Sequence, residues 1–535
     1  MIVKNNFNFP KRKQNKIKDK VNLNIFIKLF RIVQYLNFKR KLQLIALFVI
    51  SFMTAFSEVL TLASFYPFLS ILSNVNTLNE IPITKAYINF FNIVNDNTLL
   101  LHFTSIFCIA ILITAGIRLT NLWFSLKLSA IIGNDIAKIA YRKSLYQSYQ
   151  VHINRNTSNL VAALTKEIDR TTDALNSTVQ TFTSILIFFS ILFFILFLNW
   201  RIALLTAINI GALYFVMALT LNRILKYNSQ VIVESNFLII REIREALNAI
   251  RDVILDNTQE FYLKRFVKVD SKLKHTFAIN SFIGIFPRYS IEALALTFIS
   301  IIAFTLAKDP INKSTLFPLL GAFALGAQRL LPAIQQAYSN WSVIKSCQNS
   351  ISVVLKLLNQ PQNKIEFKST KRYNFKESLI LKNISFTYKG TKIEVLKDIN
   401  LEIFKGEKIG IIGESGSGKS TLVDIIMGLL TPTKGELLID GKNIYGKEER
   451  SFLASWRLSL AHVPQNIFLS DSNFEKNIAL GVPNSLINIE KIKLAARSAQ
   501  IHDFVNGLEG GYKTNIGEDG IKLSGGQRQR IGIAR

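Results

Sequence analysis

A glycine-rich loop toward the end of the chain has the residue types and spacing that bind phosphate. The apolar segment Glu407–Gly413 (EKIGIIG), of the type that forms a strand, leads into it, and the helical pattern STLVDIIMGLL follows. Its glycines let backbone N–H groups approach a phosphate chain without a Cβ in the way, and the following helix adds the positive end of its dipole. The loop residues are Gly413, Glu414, Ser415, Gly416, Ser417, Gly418, Lys419, Ser420 and Thr421.

Two side chains of this loop have the chemistry expected for a nucleotide bound with Mg²⁺. As in other P-loop ATPases and GTPases, Lys419 would hold the β and γ phosphates, and the Ser420 hydroxyl would ligate the cation. The alternative, a glycine-rich turn without a ligand, is disfavoured by the strand and helix patterns on either side. We therefore expect ATP and Mg as cofactors.

A second short motif lies downstream, ahead of the helical pattern RQRIGIAR. A serine hydroxyl and two glycine amides at a helix start make another phosphate-binding terminus, although the same residues could be a helix cap without a ligand. The motif residues are Leu523, Ser524, Gly525, Gly526 and Gln527. Together with the P-loop, they resemble the signature motif of ABC transporters. In that family the signature contacts the γ phosphate held by a partner's P-loop, so the resemblance implies a homodimer.

The resemblance extends to smaller features. Tyr388 in SFTYKG is similar to the aromatic residue that stacks on adenine, although a lone tyrosine more often packs in a core. Gln465 in AHVPQNIFLS resembles the glutamine that reaches Mg²⁺ and the attacking water, although a lone glutamine is usually a surface residue. Ile516–Gly520 is similar to an exporter-specific loop that meets the cytoplasmic turns of the membrane domain.

The resemblance also predicts a catalytic glutamate and a switch histidine after the signature, and the sequence through Arg535 includes neither. The histidines all precede the signature, and His462 is not assigned the switch role; they are His102, His152, His275, His462 and His502. We therefore expect the chain as printed to bind ATP without hydrolysing it. An interrupted gene or an incomplete sequence is favoured over an evolved pseudoenzyme.

Composition places much of the chain in a membrane. Of 535 residues, 49% are hydrophobic, and the net charge is +28. Such hydrophobicity indicates a basic cytoplasmic surface beside a bilayer rather than a nucleic-acid binder, so no nucleic-acid partner is expected. The cysteines, Cys108 and Cys347, support neither a disulfide framework nor a metal site.

The elements that position the loops follow from hydropathy and charge. Asn24–Lys39 is predicted to lie in the headgroup plane. Six apolar segments long enough to span a bilayer are Leu42–Leu72, Leu99–Leu128, Thr178–Leu198, Ile202–Leu221, Phe277–Leu306 and Leu316–Ile344. Lys and Arg are concentrated after the second and fourth segments, which places those long connections and both termini in the cytoplasm of a plasma-membrane protein. By resemblance, turns near Val151–Asn159 and Leu255–Tyr262 would be coupling helices.

The predicted fold is an α-helical six-span membrane domain plus an α/β P-loop nucleotide-binding domain that is incomplete. The boundaries are a basic tail over 1–23, a membrane domain with cytoplasmic helix extensions over 24–345, a linker over 346–377 and an ATP-binding domain over 378–535.

Charged residues within the apolar segments bear on the substrate. These residues are Glu58, Arg118, Arg288, Glu292 and Arg329. They either pair with one another, Arg288 with Glu292 above all, or the arginines at 118, 288 and 329 line a cavity for an anionic headgroup. The segments SEVLTLASFYPFLSIL and FPRYSIEALAL resemble bacterial lipid-linked oligosaccharide flippases, with an outward-facing helix at Lys85–Ile93.

The function expected is ATP-driven movement of a lipid-linked or amphipathic substrate by alternating access. A peptide or drug exporter is the close alternative. An inert nucleotide-binding membrane protein that regulates a full-length relative is a hypothesis of another class. A soluble ABC protein of the DNA-repair or translation type is disfavoured by the six apolar segments.

Overall fold

The computed structural model describes residues 24–73, 96–198, 200–307, 313–361, 371–446 and 450–535. The chain divides into two compact units, Met1–Asn363 and Lys364–Arg535. The basic tail over 1–23 and the predicted helix at Lys85–Ile93 lie outside the described residues.

Each of the six apolar segments lies in a long helix of its own in the first unit. The helices are α2 (Phe38–Ser73), α3 (Asp96–Leu145), α6 (Ile168–Leu198), α7 (Trp200–Asn248), α9 (Gln259–Ala307) and α10 (Lys313–Ser346). Among the described residues, three stretches are long and apolar enough to cross a membrane: Phe38–Phe65, Thr98–Leu145 and Thr157–Phe197. Because the 50 residues of α3 extend for about 75 Å, this helix continues well beyond a hydrocarbon core of about 30 Å.

Short helices lie in the first predicted turn, and one lies directly before the second, Leu255–Tyr262, in which α9 begins. They are α4 (Tyr149–Ile153), α5 (Thr157–Ala162), which continues through a π-helical turn (Ala163–Glu167) into α6, and α8 (Ile250–Leu255). Apolar side chains at both predicted coupling turns are exposed, among them Ile153 on α4 and Leu255 at the end of α8. Both turns therefore present apolar surface in the first unit.

Two further helices, α1 (Ile25–Gln34) and α11 (Gln348–Leu358), belong to the core of the first unit. The face of α1 formed by Ile25, Leu29 and Ile32 is buried, as the spacing i, i+4, i+7 of an amphipathic helix requires. It shares a core with buried residues of α11, including Ile351 and Leu358. Part of the range 346–377, predicted as a linker, is therefore a helix packed within the first unit.

The second unit contains a four-stranded antiparallel sheet with strand order β2-β1-β3-β4. The strands are β1 (Ser378–Thr387), β2 (Glu394–Phe404), β3 (Lys434–Ile439) and β4 (Lys442–Asn443). The sheet packs with α12 (Lys419–Ile426) and α13 (Arg450–Ser459) around a core that includes Leu381, Ile425 and Leu437. A second core lies among the helices α14 (Phe474–Ile478), α15 (Ile489–Ser498), α16 (His502–Asn506) and α17 (Gly525–Ala534).

The segment Glu407–Gly413, predicted as a strand, is not one in the structure. Ile409 and Ile411 are exposed, and Ile412 is 97% exposed. A strand needs a neighbour to accept and donate its ladder hydrogen bonds, and within the described residues this segment pairs with none. The apolar pattern therefore indicated that this segment favours a strand, but it could not indicate a neighbouring strand to pair with it.

Candidate nucleotide and anion sites

The predicted phosphate loop connects the exposed segment Glu407–Gly413 to the first turn of α12. Gly416 and Gly418 have φ of +85° and +94°, which side chains with a Cβ rarely adopt. A Cβ on Gly418 would also lie 2.9 Å from a methyl group of Leu396 and 3.2 Å from Val395 O, so the loop passes close to β2. The loop is thereby held against the sheet at the start of a helix, where free N–H groups and the helix dipole favour an anion.

The side chains of this loop fit a nucleotide phosphate. Lys419 Nζ donates to the carbonyl oxygens of Gly413 and Glu414, both at 2.7 Å, so its ammonium lies over the loop. Ser420 is exposed at the start of α12, where its hydroxyl is available as a ligand for a hard cation. When bound, ATP with Mg²⁺ would supply the phosphate chemistry, and these residues would hold its phosphates and cation.

Tyr388 lies at the end of β1 beside the P-loop helix. Its hydroxyl is 2.9 Å from Thr421 Oγ1, and its ring meets Phe386 edge-on at 4.9 Å between centroids. The structure therefore brings Tyr388 to the P-loop. Its partly exposed ring is positioned by the contact with Phe386 and by the hydrogen bond of its hydroxyl.

The far end of α12 is anchored by residues that the sequence analysis did not single out. The single hydroxyl proton of Tyr445 is shared between the carbonyl oxygens of Ile425 at 2.9 Å and Leu430 at 2.6 Å. Trp456 Nε1 donates to Ile426 O at 2.9 Å. Because carbonyls at a helix end lack partners within the helix, these bonds fix α12 and the loop at its other end.

The signature residues form a capped helix start. Ser524 Oγ accepts the N–H of Gln527 at 3.3 Å, and Gln527 Oε1 accepts the N–H of Ser524 at 2.9 Å, a capping box. Leu523 anchors the turn in the second core, whereas Ser524, Gly525 and Gly526 are exposed. Since Ser524 Oγ accepts in this box, its own proton and the two glycine N–H groups are left to donate outward.

Gln465 lies at an exposed bend and makes no hydrogen bond to the P-loop within the described residues. The segment that follows it is fixed by Asn477, a fully buried side chain that the sequence analysis did not single out. Asn477 Oδ1 accepts the N–H of Ser470 at 2.9 Å, and its Nδ2 donates to Ser470 O at 3.0 Å. Arg535 also donates to Asn477 O, at 2.9 Å, which ties α17 to this segment.

In the first unit, three charged residues from three helices meet within the apolar segments. Glu58 on α2 is fully buried and pairs with Arg118 Nε of α3 and with Arg329 Nη1 of α10, the latter at 3.1 Å. One carboxylate therefore faces two guanidinium groups, and the cluster has a net positive charge. The Arg118 side chain is 44% exposed, so the excess charge is accessible. The sequence analysis noted Glu58 but did not assign it to the site; a lone carboxylate in an apolar segment was the available signal.

Polar residues extend this cluster along the contact between α2 and α3. Thr61 Oγ1 and Thr114 Oγ1 are 2.8 Å apart, and Asn121 Nδ2 donates to Thr54 Oγ1 at 3.0 Å. These residues are buried and lie about one turn from Glu58 or Arg118 on the same helices. Hydrogen bonds between apolar helices fix their rotation, so this contact positions the charged cluster.

Arg288 is not part of the cluster. It pairs with Glu292 on its own helix α9, at 3.9 Å, and both side chains are more than half exposed. Of the three arginines proposed for an anion site, the structure therefore joins Arg118 and Arg329 through Glu58 and leaves Arg288 in a separate pair. All three arginines therefore form ion pairs: Arg118 and Arg329 pair with Glu58, and Arg288 pairs with Glu292.

Comparison with protein families matches both units. The family model of the ABC transporter transmembrane region matches residues 44–308, and the ABC transporter model matches residues 396–535. A solved structure of a bacterial Atm1-family ABC exporter with ATP bound has a TM-score of 0.71, covering 92% of this chain and 83% of that one at 18% identity. This likeness shows the fold.

Two similar proteins align over 390 residues, which are 71% of this chain. The ATP-dependent lipid A-core flippase of Cupriavidus metallidurans is 27% identical, and the chain covers 64% of its length. The heterocyst differentiation ATP-binding protein HepA of a Nostoc species is 29% identical, with 61% of its length covered. The leukotoxin translocation ATP-binding protein LktB of Mannheimia glucosida is 37% identical over 212 residues, 39% of this chain and 29% of that protein. The chain thus spans under two thirds of these relatives.

Proposed function

Because this chain belongs to the ABC transporters and combines an exporter-type membrane domain with an ATP-binding domain, we propose that it is half of a dimeric ATP-driven transporter of an anionic lipid-linked substrate. The observation that carries the substrate class is the Glu58 cluster. Two arginines share one carboxylate, so the cluster has a charge that only an anion neutralises. An amphipathic anion would place its headgroup at the half-exposed Arg118 and its chains among apolar helices. The similarity to a lipid A-core flippase supports this class.

The dimer follows from two incomplete phosphate sites. The P-loop supplies Lys419 and Ser420 to the nucleotide, and the signature supplies the Ser524 hydroxyl with the N–H groups of Gly525 and Gly526. In the family, one ATP lies between the P-loop of one chain and the signature of the other. A second identical chain would complete both sites. Gln465 would then position Mg²⁺ and the attacking water, and Tyr388 would stack on adenine.

The mechanism proposed is alternating access in the plasma membrane. ATP would hold two ATP-binding domains together, and the helix extensions would transmit that closure to the spanning segments. The basic connections between helices support cytoplasmic termini, because Lys and Arg are favoured on that side. An inert regulatory protein would bind ATP and show no substrate-dependent response.

Nucleotide binding is tested by the stability of the purified full chain in detergent. ATP with Mg²⁺ at a concentration of about 100 times Kd stabilises a folded protein by about 2.7 kcal/mol, which raises its unfolding temperature. Lys419→Ala is expected to abolish this shift. Lys397→Ala, an exposed lysine of β2, removes the same charge and is expected to retain it. An equal shift in the Lys419 variant would contradict the assigned site.

Substrate class is tested separately, in lipid nanodiscs. A fluorescent lipid-linked oligosaccharide with a diphosphate is expected to bind the native chain, and Arg118→Gln is expected to weaken it about tenfold, the effect of one lost charge-assisted hydrogen bond. Arg288→Gln is the matched control, because its pair lies apart from the cluster. If a neutral amphipathic dye or a peptide binds equally well in all three proteins, the drug or peptide alternative replaces the lipid.

A further inference from the structure

A cavity of about 460 Å³ opens between α1 and the end of α11, away from the residues assigned to transport. It is lined by Arg31, Gln34 and Tyr35 of α1 and by Asn359, which follows α11. Its volume lies in the range of small-molecule sites. Tyr35 donates its hydroxyl to Asn359 Oδ1 at 2.6 Å, which joins the two sides of the cavity.

The cavity is basic, and part of its donor capacity is unused. The Arg31 side chain makes no hydrogen bond or ion pair within the described part of the chain. Lys143 lies beside the cavity, with Nζ 5.1 Å from the centroid of the Tyr35 ring. Neither α1 (IFIKLFRIVQ) nor α11 (QNSISVVLKLL) contains an acidic residue. Burial lowers the pKa of Lys28 on α1, and the positive charges of Lys226 and Lys356 lower it further, so the neighbourhood has a surplus of positive charge.

The position of the cavity indicates where an anion would come from. Ile27 is 45% exposed and Phe30 is 63% exposed on α1. Ile27 lies one turn before Arg31, and Phe30 lies directly before it. The first spanning stretch begins at Phe38, just after Tyr35. Helix α1 thus presents apolar side chains followed by an arginine at the end of a membrane span, the arrangement of a helix that lies at the headgroup level.

We propose that this cavity binds the phosphate headgroup of an anionic phospholipid. Arg31 donates to the phosphate, Gln34 and Asn359 hydrogen-bond the polar part of the headgroup, and Ile27 and Phe30 contact the acyl chains. This lipid is distinct from the transported substrate. It fixes α1, and through the shared core α11, at the membrane surface.

The test measures lipid binding to the detergent-solubilised full chain by native mass spectrometry, without ATP. The native chain is expected to bind phosphatidylglycerol more tightly than phosphatidylcholine, and Arg31→Gln is expected to weaken phosphatidylglycerol about tenfold. Asn359→Asp, which places a negative charge in the cavity, is expected to weaken it at least as much. Lys39→Gln is the control. Lys39 is exposed near the start of α2 and does not line the cavity, so this variant removes one positive charge from the neighbourhood only.

Three outcomes would overturn the proposal. If Arg31→Gln binds phosphatidylglycerol as tightly as the native chain, the cavity is not the site. If Lys39→Gln weakens phosphatidylglycerol as much as Arg31→Gln does, the lipid is attracted diffusely to the basic surface. Displacement of the lipid by inorganic phosphate alone indicates a site for a soluble anion. Arg31→Gln is expected to leave binding of the fluorescent lipid-linked oligosaccharide in nanodiscs unchanged, because Arg31 is not part of the Glu58 cluster, so failure here is distinguishable from failure of the proposed transport function.

Discussion

Ser524 and Gln527 satisfy each other's backbone N–H groups at the start of α17. This capping box holds the signature turn in shape with no contribution from another chain, and it leaves the Ser524 proton and two glycine N–H groups for a ligand. Capping uses Ser524 Oγ as an acceptor and leaves its hydroxyl proton free, so substitutions can separate capping from the proposed phosphate binding.

Ser524→Ala is expected to lower stability by about 1 kcal/mol, because it removes the cap, and to abolish ATP-dependent dimerisation. Ser524→Asp keeps a capping acceptor but replaces the donor with a negative charge. Its unfolding temperature is expected to be close to that of the native chain, and it is still expected not to dimerise with ATP. Thermal unfolding and light scattering with ATP measure the two effects, and native-like dimerisation of Ser524→Asp would contradict the assigned role.

Tyr388 combines a hydrogen bond to Thr421 with a ring proposed for adenine. Tyr388→Phe keeps the ring, so we expect ATP affinity to stay within about twofold of native and stability to fall by about 1 kcal/mol. Tyr388→Ala removes the stacking surface, and an affinity loss of about 1–3 kcal/mol is expected. Titration with a fluorescent ATP analogue measures both variants. If Tyr388→Phe and Tyr388→Ala lower the affinity for ATP equally, the ring of Tyr388 does not stack on adenine.

Glu58→Gln would leave two guanidinium groups without their carboxylate among the membrane helices. Removing one partner of a buried ion pair costs about 3–5 kcal/mol, so a large drop in the unfolding temperature in nanodiscs is expected. Glu292→Gln breaks an exposed pair and is expected to cost less than about 1 kcal/mol. Similar unfolding temperatures for the two variants would show that Glu58 does not hold the three helices together.

Asp440 joins the start of β1 to the turn after β3. It accepts the N–H groups of Lys376 at 2.9 Å and Glu377 at 2.8 Å, and the Tyr373 hydroxyl at 2.8 Å. Desolvation acts to raise the pKa of Asp440, but the backbone hydrogen bonds from Glu377 and Lys376 and the one from Tyr373 outweigh it, so the pKa is lowered.

A carboxylate whose folded pKa is lowered stabilises the fold above its unfolded pKa of about 3.9 and loses that contribution as the pH falls through the folded pKa. Asp440→Asn is therefore expected to lower the unfolding temperature of the ATP-binding unit at neutral pH. The difference from native should shrink below about pH 4. Calorimetry across this range measures it, and a difference that is constant with pH would show that the charge contributes nothing.

The local geometry of the two glycine-containing motifs could be predicted from the sequence. Glycine spacing predicted the loop that ends at the start of α12, and the serine and glycines at 524–526 predicted the start of α17, because both depend on neighbours in the chain. Hydropathy likewise located six long helices, each beginning or ending near its apolar segment. Where the outcome depended on a distant partner, the sequence was insufficient: Glu407–Gly413 has a strand pattern but no paired neighbour among the described residues.

Tertiary structure decided which charges meet. Glu58 and Arg329 are 271 positions apart, yet share an ion pair, whereas Arg288 remains with Glu292 one turn away on its own helix. Spacing predicts the second pair and not the first, since the rotation and tilt of α2, α3 and α10 depend on packing along their whole lengths. The same holds for Asn477, whose polar atoms are buried by a fold of the chain that no local pattern encodes.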